Sequence, residues 1–299
     1  MTGGAPPAGG TALSGGTPGA GDTAPIEVQG LTMQYGPLVI MKDLNFQVRR
    51  GEIFVIMGGS GSGKSTLLKH LIGLKAPAKG TILFEGEDFL GADEAARKEI
   101  RRGMGVLYQN GALWSGLTLA ENVALPLEEY TELDARSIED VVSLKLALVG
   151  LRGFGSFYPA EISGGMRKRA ALARATALDP EVLFFDEPSS GLDPITASRL
   201  DDLILQLRDS FGTTVVIVSH DLASIFKIAD RAIFLDIKEK TMTAIGTPQE
   251  LRDNPPSDEV LKFLTRSSEA DEANASSAGP SSASASSAGT APPDRGDGS

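Results

Sequence analysis

The sequence of 299 residues contains no cysteine, so the chain forms no disulfide and offers no thiolate for catalysis or metal binding. It has no apolar run near the ~20 residues that a helix needs to cross a membrane. No basic residue precedes Lys42, and the N-terminal segment lacks the apolar core of a secretory signal. These absences favour a soluble, intracellular protein that reaches a membrane only through a partner.

Large hydrophobic residues are scarce at both ends of the chain. Residues 1–25 are mostly Gly, Ala, Pro and Thr, and residues 267–299 contain no Leu, Ile, Val, Met, Phe, Tyr or Trp. Segments that bury so little cannot offset the entropy of ordering, so both are predicted to be disordered. Residues 26–266 remain, enough for one large domain or two small subdomains. The formal net charge of −11 argues against broad binding to nucleic-acid phosphates.

A glycine-rich stretch lies between an apolar strand, residues 53–57, and a segment with helical spacing, residues 66–72. Glycine lets the chain curl so that successive N–H groups point at one anion, and the helix N-terminus adds partial positive charge. Lys64 adds a full charge, and Ser65 offers a hydroxyl to Mg²⁺. The pattern G-x-x-x-x-G-K-[ST] predicts a phosphate-binding loop. Its residues are Gly58, Gly59, Ser60, Gly61, Ser62, Gly63, Lys64, Ser65 and Thr66.

Predicted strands and helices alternate along residues 26–266. Residues 26–28 and 46–48 alternate as antiparallel strands do, whereas 182–185 and 215–218 are continuous apolar runs, as in a parallel sheet covered on both faces. Residues 117–177 have a helical pattern and predict an inserted subdomain. Further strands are predicted at 81–84, 106–108 and 232–235, and further helices at 94–101, 197–208, 222–228 and about 256–265. This alternation predicts an α/β fold with ligand chemistry at the C-terminal ends of the strands.

Two adjacent carboxylates, Asp186 and Glu187, end the apolar run at 182–185. Beside a phosphate loop, the first can hold Mg²⁺ and the second can polarise water against a γ-phosphate. The alternative is a pair of residues that caps a helix. A second glycine turn, residues 163–165, also opens a helix, and by itself it is equally well explained as a helix cap.

Six motifs lie in a fixed order along the chain. They are the phosphate loop, Gln109, Ser163-Gly164-Gly165, Asp186-Glu187, Gly191-Leu192-Asp193 and His220. In this order they resemble the nucleotide-binding subunit of an ATP-binding-cassette (ABC) transporter, over about residues 26–250. The resemblance implies a P-loop NTPase fold with a RecA-like parallel-sheet core, an N-terminal antiparallel β subdomain and an inserted α-helical subdomain. It also implies a two-fold homodimer that closes on two ATP molecules and reopens on hydrolysis.

The resemblance assigns a role to each motif, with ATP and Mg²⁺ as cofactors. Tyr35 is expected to stack on adenine, with a packed loop tyrosine as the alternative. The implied catalytic residues are Glu187, His220 and Gln109. The implied Mg²⁺ ligands are Ser65, Gln109 and Asp186. The signature turn, which would contact the ATP held by the opposite subunit, is Ser163, Gly164 and Gly165, and Asp193 of the D-loop would lie across the dimer interface.

The exact residues of three motifs point to one lineage within the ABC family. Met166 stands where the most widespread signature has Gln, and it is given no catalytic role. The stretches SGGMRKRAALARA, FDEPSSGLDPIT and QNGALW resemble ATPases of the Mla/Mce (mammalian-cell-entry) type. This implies transport of phospholipids or other hydrophobic molecules by a peripheral subunit at the cytoplasmic face of the inner membrane. The implied partners are a second copy of the chain, a permease, an MCE-domain lipid-binding protein and a small STAS-domain regulator, with no nucleic acid.

Several alternatives stay open. An ATPase of an amino-acid importer or of a lipoprotein-release system is the nearer alternative, and it would have nearly the same cassette. An ABC ATPase of DNA repair or translation is the more distant alternative, and such proteins typically have a long coiled coil or two joined cassettes. Trp114 either packs in the helical subdomain or lines a groove for a permease helix. The basic run 167–169 is predicted to be an exposed helix face, and His70 a packed or solvated residue rather than a ligand. The last helix packs either on its own core or on the partner subunit.

Overall fold

The computed structural model describes residues 24–266. The segments predicted to be disordered, 1–25 and 267–299, lie outside the described residues except for positions 24 and 25. The strands of the described part are β1 (Ile26–Tyr35), β2 (Leu38–Val48), β3 (Ile53–Gly58), β4 (Lys79–Phe84), β5 (Glu87–Asp88), β6 (Met104–Leu107), β7 (Val182–Asp186), β8 (Thr214–Val218), β9 (Arg231–Asp236) and β10 (Thr241–Gly246).

Helices separate most of these strands, as the alternating pattern predicts. They are α1 (Lys64–Leu71), α2 (Glu94–Arg102), α3 (Leu119–Tyr130), α4 (Ala135–Leu148), α5 (Gly164–Ala175), α6 (Pro194–Phe211), α7 (Leu222–Ile228), α8 (Pro248–Asp253) and α9 (described over residues 258–266). A short 3-10 turn, Pro159–Glu161, precedes α5. In residues 24–266 no helix combines the length and the apolar character needed to cross a bilayer.

The main sheet has six strands in the order β10-β9-β3-β8-β7-β6. All neighbours from β9 to β6 pair in parallel, and only β10 at the edge is antiparallel. Parallel pairing brings the C-terminal ends of β3, β8, β7 and β6 to one edge of the sheet. That edge carries the candidate site.

Apolar residues of β3 alternate between two cores. Ile53 and Val55 face the core formed with the helical subdomain, α6 and α7, whereas Phe54 and Ile56 face the core shared with α1 and the N-terminal sheet. All four side chains are almost fully buried. Burying one such side chain contributes about 1.5–3 kcal/mol, so both faces favour apolar residues and the strand reads as a continuous apolar run.

The N-terminal sheet has the order β2-β1-β4-β5 and is antiparallel throughout. Val28 of β1 lies opposite Phe46 of β2 and Ile82 of β4, which confirms the predicted antiparallel pair. Tyr35 differs from its predicted loop position, because it is the last residue of β1 and pairs with Leu38 across the turn.

The predicted helical segment 117–177 contains α3, α4 and α5, which pack on one another. At the other end of the domain, α9 packs on its own chain. Its Val260, Phe263 and Leu264 are buried in the first core, and the Phe263 ring meets Phe234 of β9 edge-on at 5.3 Å. Within one chain, the last helix therefore packs on its own core, which is one of the two alternatives left open by the sequence.

Candidate nucleotide site

Each of the four parallel strands that end at the common edge delivers a predicted site residue. β3 runs into the phosphate loop, β8 is followed by His220, β7 ends at Asp186 with Glu187 next, and β6 leads to Gln109. A cleft of about 500 Å³ lies at this edge. Its lining includes Gly58, Ser60, Gly61, Gly63, Lys64, Ser65, Thr66, Gln109, Glu187 and His220.

The phosphate loop is held in a conformation suited to an anion. Gly63, the residue before α1, has φ +86°, and a Cβ there would come within 2.9 Å of Ile40 Cγ2. The buried Lys64 ammonium donates to the carbonyls of Gly58 and Gly59, both at 2.9 Å. Burial lowers the pKa of Lys64, and the carboxylates of Glu187 and Asp186 act against this. A phosphate at the helix N-terminus would replace the loop carbonyls as partner of this cation.

Two oxygen groups at the base of the loop fit a magnesium ion. Ser65 Oγ donates to Asp186 Oδ1 at 3.0 Å. Hydroxyl and carboxylate oxygens are the ligands that Mg²⁺ prefers, and two oxygens at adjacent octahedral positions lie about 3 Å apart. Within residues 24–266 no group of three or more His, Cys, Asp or Glu forms a metal site. A cation held here would therefore need further oxygen ligands besides these two.

Glu187 is buried at the wall of the cleft, and its backbone has φ +52°. One carboxylate oxygen, Oε1, lies 2.7 Å from Nδ1 of the exposed His220 ring. The other, Oε2, is buried and has no hydrogen-bond partner in the described part of the chain. A buried carboxylate oxygen without a donor is costly, so Oε2 is an acceptor whose capacity the described residues leave unused. Gln109 is exposed, with its amide 3.5 Å from Ser190 Oγ.

The signature turn lies elsewhere on the molecule. Ser163 caps α5 by accepting a hydrogen bond from the Met166 N–H at 3.2 Å. It lines a second cleft of about 630 Å³, together with Gly164, Gly165, Met166 and Asp193. No residue lines both this cleft and the one at the phosphate loop. In one chain, the phosphate loop and the signature turn therefore lie in separate clefts.

Asp193 caps α6, accepting hydrogen bonds from the backbone of Ile195 and Thr196, and hydrogen bonding by Thr196 holds the pKa of Asp193 below its usual value. A Cβ on Gly165 would come within 2.7 Å of Thr196 Cγ2, so glycine is needed where the signature turn packs on α6. The Met166 side chain packs against the first core, and only its N–H takes part in the cap. This explains how the turn accommodates Met in place of Gln.

Comparison with known proteins decides the family. The family model described as ABC transporter matches residues 41–190, which contain the phosphate loop, Gln109, the signature turn and the carboxylate pair. The chain belongs to the ABC transporter family. It is an ATP-hydrolysing cassette, and its fold is that of the P-loop NTPases of this family.

Individual relatives of this ABC cassette cover most of its length. The intermembrane phospholipid transport system ATP-binding protein MlaF of Haemophilus influenzae is 43% identical over 82% of this chain and 91% of its own. The probable ribonucleotide transport ATP-binding protein mkl of Mycobacterium bovis is 46% identical, over 66% of this chain and 55% of its own. Among solved structures, the dimeric post-hydrolysis state of the cassette MJ0796 bound to ADP and Pi is 28% identical, has a TM-score of 0.67 and covers 74% of this chain and 98% of its own.

Tyr35 of the cassette lies beside the end of the phosphate loop. A hydrogen bond with the Thr66 side chain lowers the pKa of Tyr35, and the Lys75 ammonium lies 2.9 Å from the centroid of its ring. The Tyr35 side chain is 48% exposed. The alternative of a packed loop tyrosine does not fit this exposure.

One residue of the cleft and one residue behind it were not found from the sequence. Arg266 of α9 lines the nucleotide cleft and lowers the pKa of Lys64 further through its charge. Lys168 was predicted to be exposed, and this was wrong: it is 6% exposed and donates to main-chain carbonyls, whereas Arg167 is exposed and Arg169 partly so. Successive residues on a helix point about 100° apart, so three neighbours cannot share one exposed face.

A groove of about 360 Å³ is lined in part by Tyr108, the residue before Gln109, and by Trp114, Pro126 and Arg174. Trp114 is 65% exposed, so of the two alternatives left open by the sequence, packing in the helical subdomain does not hold. The buried Asn122 fixes this loop, accepting from the Trp114 N–H at 2.7 Å and donating to its carbonyl at 3.1 Å. A rigid loop therefore presents an aromatic ring to the surface.

Proposed function

We propose that this ABC cassette energises the movement of phospholipids between membranes of a cell envelope, through a separate permease and an MCE-domain protein. The identity of 43% to the H. influenzae phospholipid-transport ATPase, over 82% of the chain, carries the proposal of cargo. The wording of the signature and carboxylate motifs supports the same lineage. The cassette would sit at the cytoplasmic face of the inner membrane, held there by the permease, and a small STAS-domain protein is proposed as regulator.

The roles of the site residues follow from their chemistry. Lys64 and the loop N–H groups would bind the β- and γ-phosphates, and Tyr35 would stack on adenine. Ser65, Asp186 and Gln109 would hold Mg²⁺, which neutralises charge on the phosphates when bound. Oε2 of Glu187 would accept a proton from the attacking water, while His220 orients Oε1 and reaches the γ-phosphate.

Two copies of the chain are proposed to complete each site, because the phosphate loop and the signature turn line separate clefts. In a two-fold dimer the signature turn of one copy, Ser163 to Gly165, can face the γ-phosphate bound by the other. The N-terminus of α5 suits that anion, since its first N–H groups lack helical partners. Asp193, at the start of α6 beside the signature, would lie in the same interface.

The groove that contains Trp114 is proposed as the docking site of the permease. Its lining includes Tyr108, the neighbour of Gln109 in the chain, so a helix seated there would be close to a residue of the nucleotide cleft. Exposed aromatic residues on a rigid surface are typical anchors of protein interfaces. Nucleotide chemistry and membrane movement would be linked through this loop.

Glu187→Gln tests the role of the general base. The amide cannot take a proton from water, so we expect the variant to bind ATP, to remain dimeric with it, and to lose at least about 100-fold in kcat. Turnover is measured by phosphate release and dimerisation by size-exclusion chromatography with ATP. The matched control is Glu181→Gln, which changes the exposed glutamate just before the same strand and should leave kcat unchanged. Wild-type turnover by Glu187→Gln would exclude Glu187 as the base.

Affinity purification of the tagged chain from detergent-solubilised membranes tests the cargo. Mass spectrometry should find a polytopic permease, an MCE-domain protein and bound phospholipid. A permease with a soluble amino-acid-binding protein, with lipoprotein or with ribonucleotide would overturn the cargo and keep the ATPase mechanism. A chain found with nucleic acid and without a permease would overturn the transport proposal itself.

A further inference from the structure

Lys168 is a buried cation on the signature helix α5, five positions after Ser163. Its ammonium donates to three main-chain carbonyls: Pro188 at 2.6 Å, Ser190 at 2.6 Å and Glu187 at 3.3 Å. A lysine has three donor hydrogens, so all of them have acceptors. Burial lowers the pKa of Lys168 and the nearby charge of Glu187 acts against this. Removing the ammonium would leave buried carbonyls without donors.

All three carbonyls belong to the turn that carries Glu187. The backbone of Glu187 has φ +52°, a conformation that residues other than glycine adopt only when neighbouring contacts hold it. Main-chain hydrogen bonds also hold this turn: the Glu187 N–H donates to Val218 at 2.9 Å, and the Ser190 N–H donates back to Glu187 at 3.2 Å. Lys168 ties the main chain of the turn to α5, whereas His220 and Gln109 contact only its side chains.

We propose that Lys168 is a positioning residue for ATP hydrolysis: it holds the strained turn so that Glu187 presents Oε1 to His220 and keeps Oε2 as an acceptor without a protein donor. This rests on the proposed role of Glu187 as general base. Lys168 does not line the nucleotide cleft, so it acts through Glu187 and touches no reacting atom. The same side chain joins the catalytic turn of one subunit to the helix whose N-terminus would contact ATP in the other.

The first test compares Lys168→Met with Arg97→Met. Both variants lose a cation that donates from a helix to main-chain carbonyls, but Arg97 of α2 donates to Leu90 and Ala92, away from the Glu187 turn. We expect Lys168→Met to lower kcat at least about tenfold with KM for ATP within about threefold, and Arg97→Met to keep kcat. A kcat for Lys168→Met within twofold of wild type would overturn the proposal, as would an equal loss in both variants.

A double-mutant cycle separates positioning from general loss of structure. If Lys168 acts only through Glu187, then Lys168→Met should not slow the residual single-turnover hydrolysis of Glu187→Gln any further. A second loss of the same size in that background would show that Lys168 acts independently, which would overturn the proposal while leaving Glu187 as the base. Whether Glu187 is the general base is tested separately, by the kcat of the Glu187→Gln variant alone.

Chemical modification of a cysteine at position 168 can restore the ammonium and so test whether it is needed. The chain has no cysteine, so Lys168→Cys carries a single thiol, and alkylation with 2-bromoethylamine places an ammonium at nearly the lysine distance. Mass spectrometry confirms the modification. Recovery of kcat is expected. Fully modified, folded protein that stays as slow as Lys168→Met would contradict the need for the ammonium.

Discussion

At the scale of single residues, His70 combines full burial with unused polar atoms. It is 0% exposed, and neither ring nitrogen has a hydrogen-bond partner in residues 24–266. Burial, with a smaller effect of Lys75, lowers the pKa of His70 from 6.5 to about 4. The folded protein therefore holds this ring neutral where the unfolded chain would protonate it. Because the unfolded state binds more protons in this window, stability falls as the pH drops from 6.5 towards 4.

His70→Leu should remove this part of the acid sensitivity. A shift of this size corresponds to up to about 3 kcal/mol of unfolding free energy lost between pH 6.5 and 4 in the wild type. Urea unfolding at a series of pH values measures it, and the difference between wild type and variant isolates His70 from the carboxylates that also titrate. At pH 7.5 both proteins carry no charge at this position and provide the reference. Parallel pH profiles for the two proteins would refute the assignment.

At the scale of elements, a buried polar pair joins α6 to α7. The Ser224 hydroxyl of α7 donates to the Asp201 carboxylate of α6, and both side chains are 4% exposed. Burial raises the pKa of Asp201. These helices begin at Asp193 and just after His220, so the pair fixes the relative position of the D-loop and the residue proposed to contact γ-phosphate.

Ser224→Ala should cost about 1–3 kcal/mol, because it leaves a buried carboxylate oxygen without its donor. Arg101→Met on α2 is the control: Arg101 pairs with the exposed Glu94 at 2.9 Å, and a surface ion pair is worth under about 1 kcal/mol. Urea unfolding at pH 7.5 measures both. Equal losses in the two variants would show that the buried pair contributes no more than the surface one.

Elements with a repeated apolar pattern could be predicted from the sequence, and those that depend on tertiary context could not. The apolar runs at 182–185 and 215–218 lie in β7 and β8 as expected. β10 was missed because it is an edge strand with a single buried residue, Ala244. α8 was also missed, although the capping box of Thr247 and Glu250 was a signal for it. Such a box precedes a helix start even when the helix is short.

In the candidate site, too, some residues could be predicted from the sequence and others depend on tertiary packing. Its motif residues converge at one edge of the sheet because the parallel strands that carry them are neighbours. Arg266 carries no local pattern, and only the packing of α9 on the first core brings it to the nucleotide cleft. The burial of Lys168 could not be predicted for a different reason. A run of basic residues normally indicates an exposed helix face, and only the packing of α5 against its neighbours shows that Lys168 is buried.

At the scale of the whole molecule, the separate clefts make the dimer testable by mixing. Lys64→Ala removes the cation of the phosphate loop, and Ser163→Arg blocks the signature turn, so each homodimer has no intact site. A heterodimer of the two variants has one site with both halves intact. Random pairing makes half the dimers mixed, so about a quarter of wild-type activity should return if the two sites work independently.

The control mixes Lys64→Ala with Glu187→Gln. Both changes act on the phosphate-loop half, so in a mixed dimer each site carries one defect and no activity should return. ATPase rates after subunit exchange measure both mixtures. If the first mixture forms dimers and remains inactive, the two halves do not combine across subunits.

The exposed ring of Trp114 has an optical consequence. It is the only tryptophan in the sequence, and it stands in the groove proposed for the permease. The tryptophan fluorescence of the protein therefore comes from one known position. A partner that covers the ring would transfer it from water to an apolar environment and move its emission to shorter wavelength. The native chain thus carries its own label for the moment at which the cassette meets its membrane partner.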